Sequence, residues 1–137
     1  MNKYLLDTNI VSELRKPRPH GGVVAWVSRQ ESVQLFLSAV TLGELQAGIE
    51  RVRRLDPAKA DDIEAWADQL EASYQILPMD APCFREWGRI MDRKPDRLLE
   101  DAMIAATARV HQLTVATRNE SDFEQLDVPV VNPFKTR

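Results

Sequence analysis

The sequence predicts an α/β protein in which a short, mostly parallel sheet carries helices on both faces. Three observations point there. Apolar runs of strand length alternate with segments of helical periodicity, the order that builds parallel sheets. One helical segment, LLEDAMIAATARVHQL at 98–113, is apolar over most of its circumference and so belongs inside. Finally, 137 residues with 44% hydrophobic and 28% charged side chains have the size and make-up of one globular domain, taken here as residues 1–137.

Each element has its own justification. Tyr4, Leu5 and Leu6 read as a short buried strand, and Ile10, Val11 and Leu14 as one face of the helix after it. VVAWVSRQ (23–30) suits a short helix after the HGG turn. VQLFLS (33–38) is a β-branched and aromatic strand. Thr41 is expected to open the next helix, with Thr41 and Glu44 in a T-x-x-E capping pattern and Leu42, Leu45, Ile49 and Val52 at helical spacing. In DPAKADDIEAWADQLEAS (56–73), Pro57 fits the first helical position after Asp56, and Ile63, Trp66, Ala67 and Leu70 form the buried stripe. YQILPM is a strand. DAPCFREWGRIMDR starts a helix with Asp80 as its cap. After the apolar helix come the strand LTVAT, a helical turn at ESDFEQL and a last short strand in VPVVNPF.

Composition removes several function classes. Cys83 is the only cysteine, so an internal disulfide and a cysteine zinc site are excluded, and it reads as a small core residue. His20 and His111 are too few and too far apart for a histidine metal cluster. No apolar run approaches a membrane span and no signal-peptide core is present, so the expected location is cytoplasmic. A net charge of −3 does not mark a bulk nucleic-acid binder. Binding depends on where Lys and Arg cluster. RKPRP (15–19) and DRKPDR (92–97) are such clusters, readable as solvated loop ends or as phosphate contacts.

The acids carry the chemistry. Asp7, Thr8 and Asn9 interrupt an apolar run at the joint between the first strand and helix, where each would be a good N-cap. Asp101 sits among Leu98, Ala102, Ile104, Ala105 and Ala108. It is either a first-turn acid at a helix N-terminus or a carboxylate that needs a partner. Glu44 closes a capping box or projects toward the same sheet edge. Asn119 and Asp122 follow the strand LTVAT. In an open parallel sheet, ligands bind beyond the C-terminal strand ends, and these residues from four elements are all placed there. Such a knot of acids repels itself and raises its own pKa values unless a cation is present. Oxygen-only donors suit Mg²⁺ or Mn²⁺, ions that activate water and stabilise phosphoryl displacement.

LLDTNIVSEL, LSAVTLGELQAGIERV, LLEDAMIAATA and ATRNESDFEQLDVPVVNPF together resemble the PIN-domain ribonucleases, and within them the VapC-type toxins of toxin–antitoxin modules, near the FitB-like branch. The likeness runs over essentially the whole chain in the right order. It implies a PIN-like three-layer sandwich and a metal-dependent endoribonuclease. Asp7, Glu44 and Asp101 correspond to the family's acidic metal ligands. The fourth falls in TRNESDF, at Asn119, where many relatives carry Asp, or at Asp122. Thr8 and Thr117 are implied to line the site and Asn9 to fix Asp7. The resemblance further implies an RNA substrate cut to 3′-hydroxyl and 5′-phosphate ends, a homodimer, a cognate antitoxin and DNA contact only through that antitoxin. Arg15, Lys16, Arg18, Arg93, Lys94 and Arg97 are the candidate phosphate contacts. Trp26, Trp66 and Trp87 read as core or interface anchors. The alternatives are a catalytically weak binding module acting with its antitoxin on operator DNA, and a phosphatase using Asp7 as nucleophile. The phosphatase would want an acid where Asn9 stands.

Overall fold

The computed structural model describes residues 2–135. The chain runs β1 (Tyr4–Leu6), α1 (Thr8–Arg15), α2 (Gly21–Ser28), β2 (Leu35–Ser38), α3 (Ala39–Arg53), α4 (Pro57–Ser73), β3 (Gln75–Leu77), α5 (Ala81–Met91), α6 (Leu99–His111), β4 (Thr114–Ala116), α7 (Glu120–Glu124) and β5 (Val130–Val131). The strands form one sheet in the order β3-β2-β1-β4-β5. Every neighbouring pair is parallel. The expected α/β architecture is therefore present, with a wholly parallel sheet.

Side-chain alternation along each strand explains the two covered faces. Leu5 and Val115 point to one side, where Ile90, Leu98, Ala102, Ile104, Ala105 and Phe123 of α5, α6 and α7 with their flanks fill the core. Leu6, Leu35, Leu37 and Ala116 point to the other, against Ile10, Val11, Val23, Trp26 and Leu70 of α1, α2 and α4. A smaller cluster of Ile49, Ala60 and Ala67 joins α3 to α4. Over it, Arg53 pairs with Glu50 and Asp61 at 3.0 and 2.7 Å and also with Glu64.

Local signals set most helix starts. Asp56 accepts from the Lys59 N–H with Pro57 in the first turn, and Asp80 accepts from the Cys83 N–H, both as the sequence suggests. Cys83 is fully buried. Two starts differ. The helix expected from Thr41 begins at Ala39, because Ser38 at the end of β2 caps it by accepting from the Val40 N–H at 3.0 Å. The Thr41–Glu44 capping box is thus replaced, and Thr41 is fully buried inside the first turn. The helix expected at 23–30 begins at Gly21, because the imidazole Nδ1 of His20 accepts from the Gly22 and Val23 N–H groups. Histidine is outside the usual capping set, so composition did not announce it.

The topology fixes where function can sit. From β1 the chain builds outward through β2 to β3, then crosses to the other side of β1 to lay down β4 and β5. The strand order reverses between β1 and β4. In open parallel sheets this switch point opens a crevice at the carboxyl ends.

Candidate active site

Asp7 stands at that crevice, the first residue after β1. Its backbone N–H donates to the Ala116 carbonyl of β4 at 2.9 Å, so the register of the two central strands places it. The side chain is 4% exposed. Oδ1 accepts from the Thr8 N–H at 2.8 Å, which is the capping role. Oδ2 accepts from the Thr117 hydroxyl at 2.8 Å and the Asn9 amide at 3.1 Å. Asp7 is thus both a helix cap and a buried carboxylate in a built polar site. Burial pushes its pKa up, against the lowering effect of these three hydrogen bonds.

The hydroxyls extend the network. Thr8 donates to Glu44 Oε1 at 2.8 Å and lies 3.1 Å from the Thr41 hydroxyl. Thr117, fully buried just past β4, also accepts from the Asn119 N–H at 2.9 Å. The Asn9 side-chain Oδ1 accepts from the Arg118 backbone N–H at 3.2 Å and ties the turn after β1 to the turn after β4. Asn119 occupies the capping position of α7 without a side-chain capping bond, and the residue is exposed.

Glu44 projects from α3 beyond its first turn. Burial raises its pKa, the Thr8 hydroxyl lowers it, and the charges of Asp7 and Glu100 raise it. Asp101 lies in the first turn of α6, where a helix end should favour its charge. Its pKa is nonetheless pushed up to about 7, by burial first and then by the charges of Asp7, Asp122, Glu44 and Glu100. Burial and repulsion together outweigh the helix end. Asp122 reaches this cluster from α7 and pairs with Arg97 Nη1 at 3.0 Å.

Asp7, Glu44, Asp101 and Asp122 therefore come from four elements and share one field. Their donors are all oxygen, which suits a hard divalent cation. Among the described residues no three His, Cys, Asp or Glu side chains form a ready-made chelating set.

The basic candidates separate. Lys16 pairs with Glu13 at 2.9 Å, Arg15 lies over the Trp66 ring, and Arg97 is engaged by Asp122. Sequence reading missed Glu100, which adds negative charge at both Glu44 and Asp101. It also missed Arg118, although Arg118 stands inside the TRNESDF segment singled out for its acids. Trp26 is buried and edge-on to Tyr4, and Trp87 donates its indole N–H to the Leu99 carbonyl.

A parallel sheet whose switch point gathers an Asp-Thr-Asn turn and carboxylates from three further elements defines the class: the chain belongs to the PIN domain family, whose profile matches residues 4–129. Within it the chain groups with toxins of the FitB and VapC type. It is 36% identical to Toxin FitB of Neisseria gonorrhoeae over 95% of this chain and 97% of that protein. It is 33% identical to VapC ribonuclease Y4jK of Sinorhizobium fredii over 96% and 97%. Among solved structures it resembles FitAcB from Neisseria gonorrhoeae (TM-score 0.84, 35% identity, covering 96% of this chain and 99% of that one). It also resembles DNA-bound VapBC from Salmonella typhimurium (TM-score 0.77, 26% identity, covering 97% and 99%).

Proposed function

We propose that this chain is a divalent-metal-dependent endoribonuclease and the toxin of a toxin–antitoxin pair. The observation that carries this reading is the gathering of Asp7, Glu44, Asp101 and Asp122 from four elements at the sheet's switch point, where burial first and then the charges of its neighbours push the Asp101 pKa up to about 7. The ribonuclease name of the Sinorhizobium relative supports the reaction class. The four carboxylates are the groups that would hold Mg²⁺ or Mn²⁺. Such an ion, when bound, activates water and offsets the charge that develops on a phosphodiester under attack.

The chain's own residues supply position and proton handling. Three hydrogen bonds lock the Asp7 carboxylate in one orientation, and Thr117 keeps that orientation by tying Asp7 to β4. Thr8 holds Glu44 toward the same point. The Asp101 carboxyl accepts no hydrogen bond among the described residues, so its oxygens are open to receive a proton from the attacking water. Asn9 uses both ends of its amide, on Asp7 and on the Arg118 N–H. It therefore offers no acid two residues after Asp7, and the phosphatase alternative loses its proton donor.

The names of the similar structures, FitAcB and VapBC, support a cognate antitoxin as partner, with DNA reached through it. The chain is expected to act as a homodimer in the cytoplasm. Among the described residues, no helix is long and apolar enough to cross a membrane. The test is Asp7→Asn. We expect it to fold as the wild type does and to lose RNA cleavage, read by mapping new RNA 5′ ends after induction. Cleavage by Asp7→Asn equal to that of wild type would remove the proposed mechanism, and no new 5′ ends on induction of wild type would leave the binding-module alternative, acting with its antitoxin on operator DNA.

A further inference from the structure

Arg118 stands apart from the other basic residues near the site. Its guanidinium lies over the Phe134 ring, 4.6 Å from the centroid, and among the described residues no carboxylate pairs with it. Phe134 is itself held. Its ring packs against His20 at 5.1 Å, and its backbone N–H donates to Asn132 Oδ1 at 3.0 Å. Asn132 donates in turn to Glu120 Oε2 at 3.0 Å, so the chain after β5 is laced to α7. An aromatic face under a guanidinium fixes its plane while leaving its edge N–H donors free.

The position is as informative as the packing. Arg118 follows Thr117, whose hydroxyl holds Asp7, and its backbone N–H holds Asn9. It lines an open concavity of about 470 Å³ together with Asp122, Glu120, Glu124 and Lys135. Arg97 already engages Asp122, and Lys135 engages Glu120 at 2.7 Å. Among the described residues, Arg118 is thus the cation of this concavity with its donors unspent, next to the carboxylates where a phosphodiester would be cut.

Resting on the nuclease reading above, we propose that Arg118 is a substrate-positioning residue: its guanidinium, held on Phe134, binds a backbone phosphate of the RNA strand beside the scissile bond. The guanidinium fork matches phosphate oxygens bidentately, which a lysine cannot do. The backbone bond to Asn9 does not involve the side chain, so substitution at 118 leaves the catalytic turn in place.

The test uses the full chain and a short single-stranded RNA that the wild type cleaves. Binding is measured in the Asp7→Asn background across salt concentrations. Arg118→Ala is expected to weaken binding roughly tenfold and to flatten the log–log salt dependence by about 0.7, the loss of one phosphate contact on a single strand. Arg118→Lys should keep the slope and recover part of the affinity. Phe134→Leu should weaken binding with the slope retained. Mn²⁺ affinity should be the same in Arg118→Ala and wild type, because the side chain acts on RNA and not on the ion. If wild type cleaves the RNA while Arg118→Ala binds it with unchanged affinity and slope, the assignment is overturned and the nuclease reading stands. If wild type does not cleave RNA at all, both fall.

Discussion

Asp101 shows at single-residue scale how the acids act on one another. A first-turn aspartate should be stabilised by the helix end, yet burial and four neighbouring carboxylates carry its pKa from 3.8 to about 7. Between those values the folded protein retains a proton that the unfolded chain has released. Stability contributed by Asp101 is therefore present at low pH and is lost as pH rises through 7. In metal-free buffer, Asp101→Asn should be more stable than wild type at pH 8, and the gap should narrow as pH falls from about 7 toward 3.8. Urea melts of the two proteins across that range measure it, and a gap that stays constant with pH would contradict the shared field. Asp7 teaches a related lesson. Capping and functional readings of one side chain are not rivals when its two oxygens do different work.

At the scale of the element, α3 decides between two accounts of Glu44. A capping box led by Thr41 would make Glu44 a stabilising residue. The observed cap is Ser38, and Glu44 is a carboxylate whose charge burial and Asp7 disfavour. Ser38→Ala should cost about 1 kcal/mol, the usual loss of an N-cap. Glu44→Ala should cost nothing, or stabilise, in the absence of divalent ions. Chemical denaturation separates the outcomes, and equal losses in both variants would restore the capping box. The misplaced start has a simple origin. Thr41 and Glu44 match the box at the right spacing, while Ser38 is both the last residue of β2 and the cap of α3. Helix α4 lacks that ambiguity, since Asp56 and Pro57 mark its start from both sides and the structure begins it there.

At the scale of the whole molecule, the site exists only because the sheet reverses its order. Asp7 and Thr117 are 110 residues apart and share a hydrogen bond of 2.8 Å because β1 and β4 are neighbours. Folding thus gathers negative charge at considerable electrostatic cost. A cation that binds only the folded state should offset that cost. Mg²⁺ or Mn²⁺ at about a hundred times its dissociation constant would add ~2.7 kcal/mol. Thermal melts should rise by several degrees in wild type and by less in Asp101→Asn, whereas equal shifts in both proteins would remove Asp101 from the proposed ion site.

The order of strands and helices, the two-faced burial and the direction of Asp7, Glu44, Asp101 and Asp122 toward one sheet edge were legible in the residues themselves, while Glu100 was not. Periodicity and an uncompensated Asp in an apolar helix are local properties, and short-range sterics and desolvation act on them directly. Which groups those side chains meet was not legible. Thr117 on Asp7, Thr8 on Glu44, Arg97 on Asp122 and Arg118 on Phe134 each join distant parts of the chain. The tertiary structure decided them, because a hydrogen bond or an ion pair depends on distances of a few ångströms that only the packed sheet and its crossovers set.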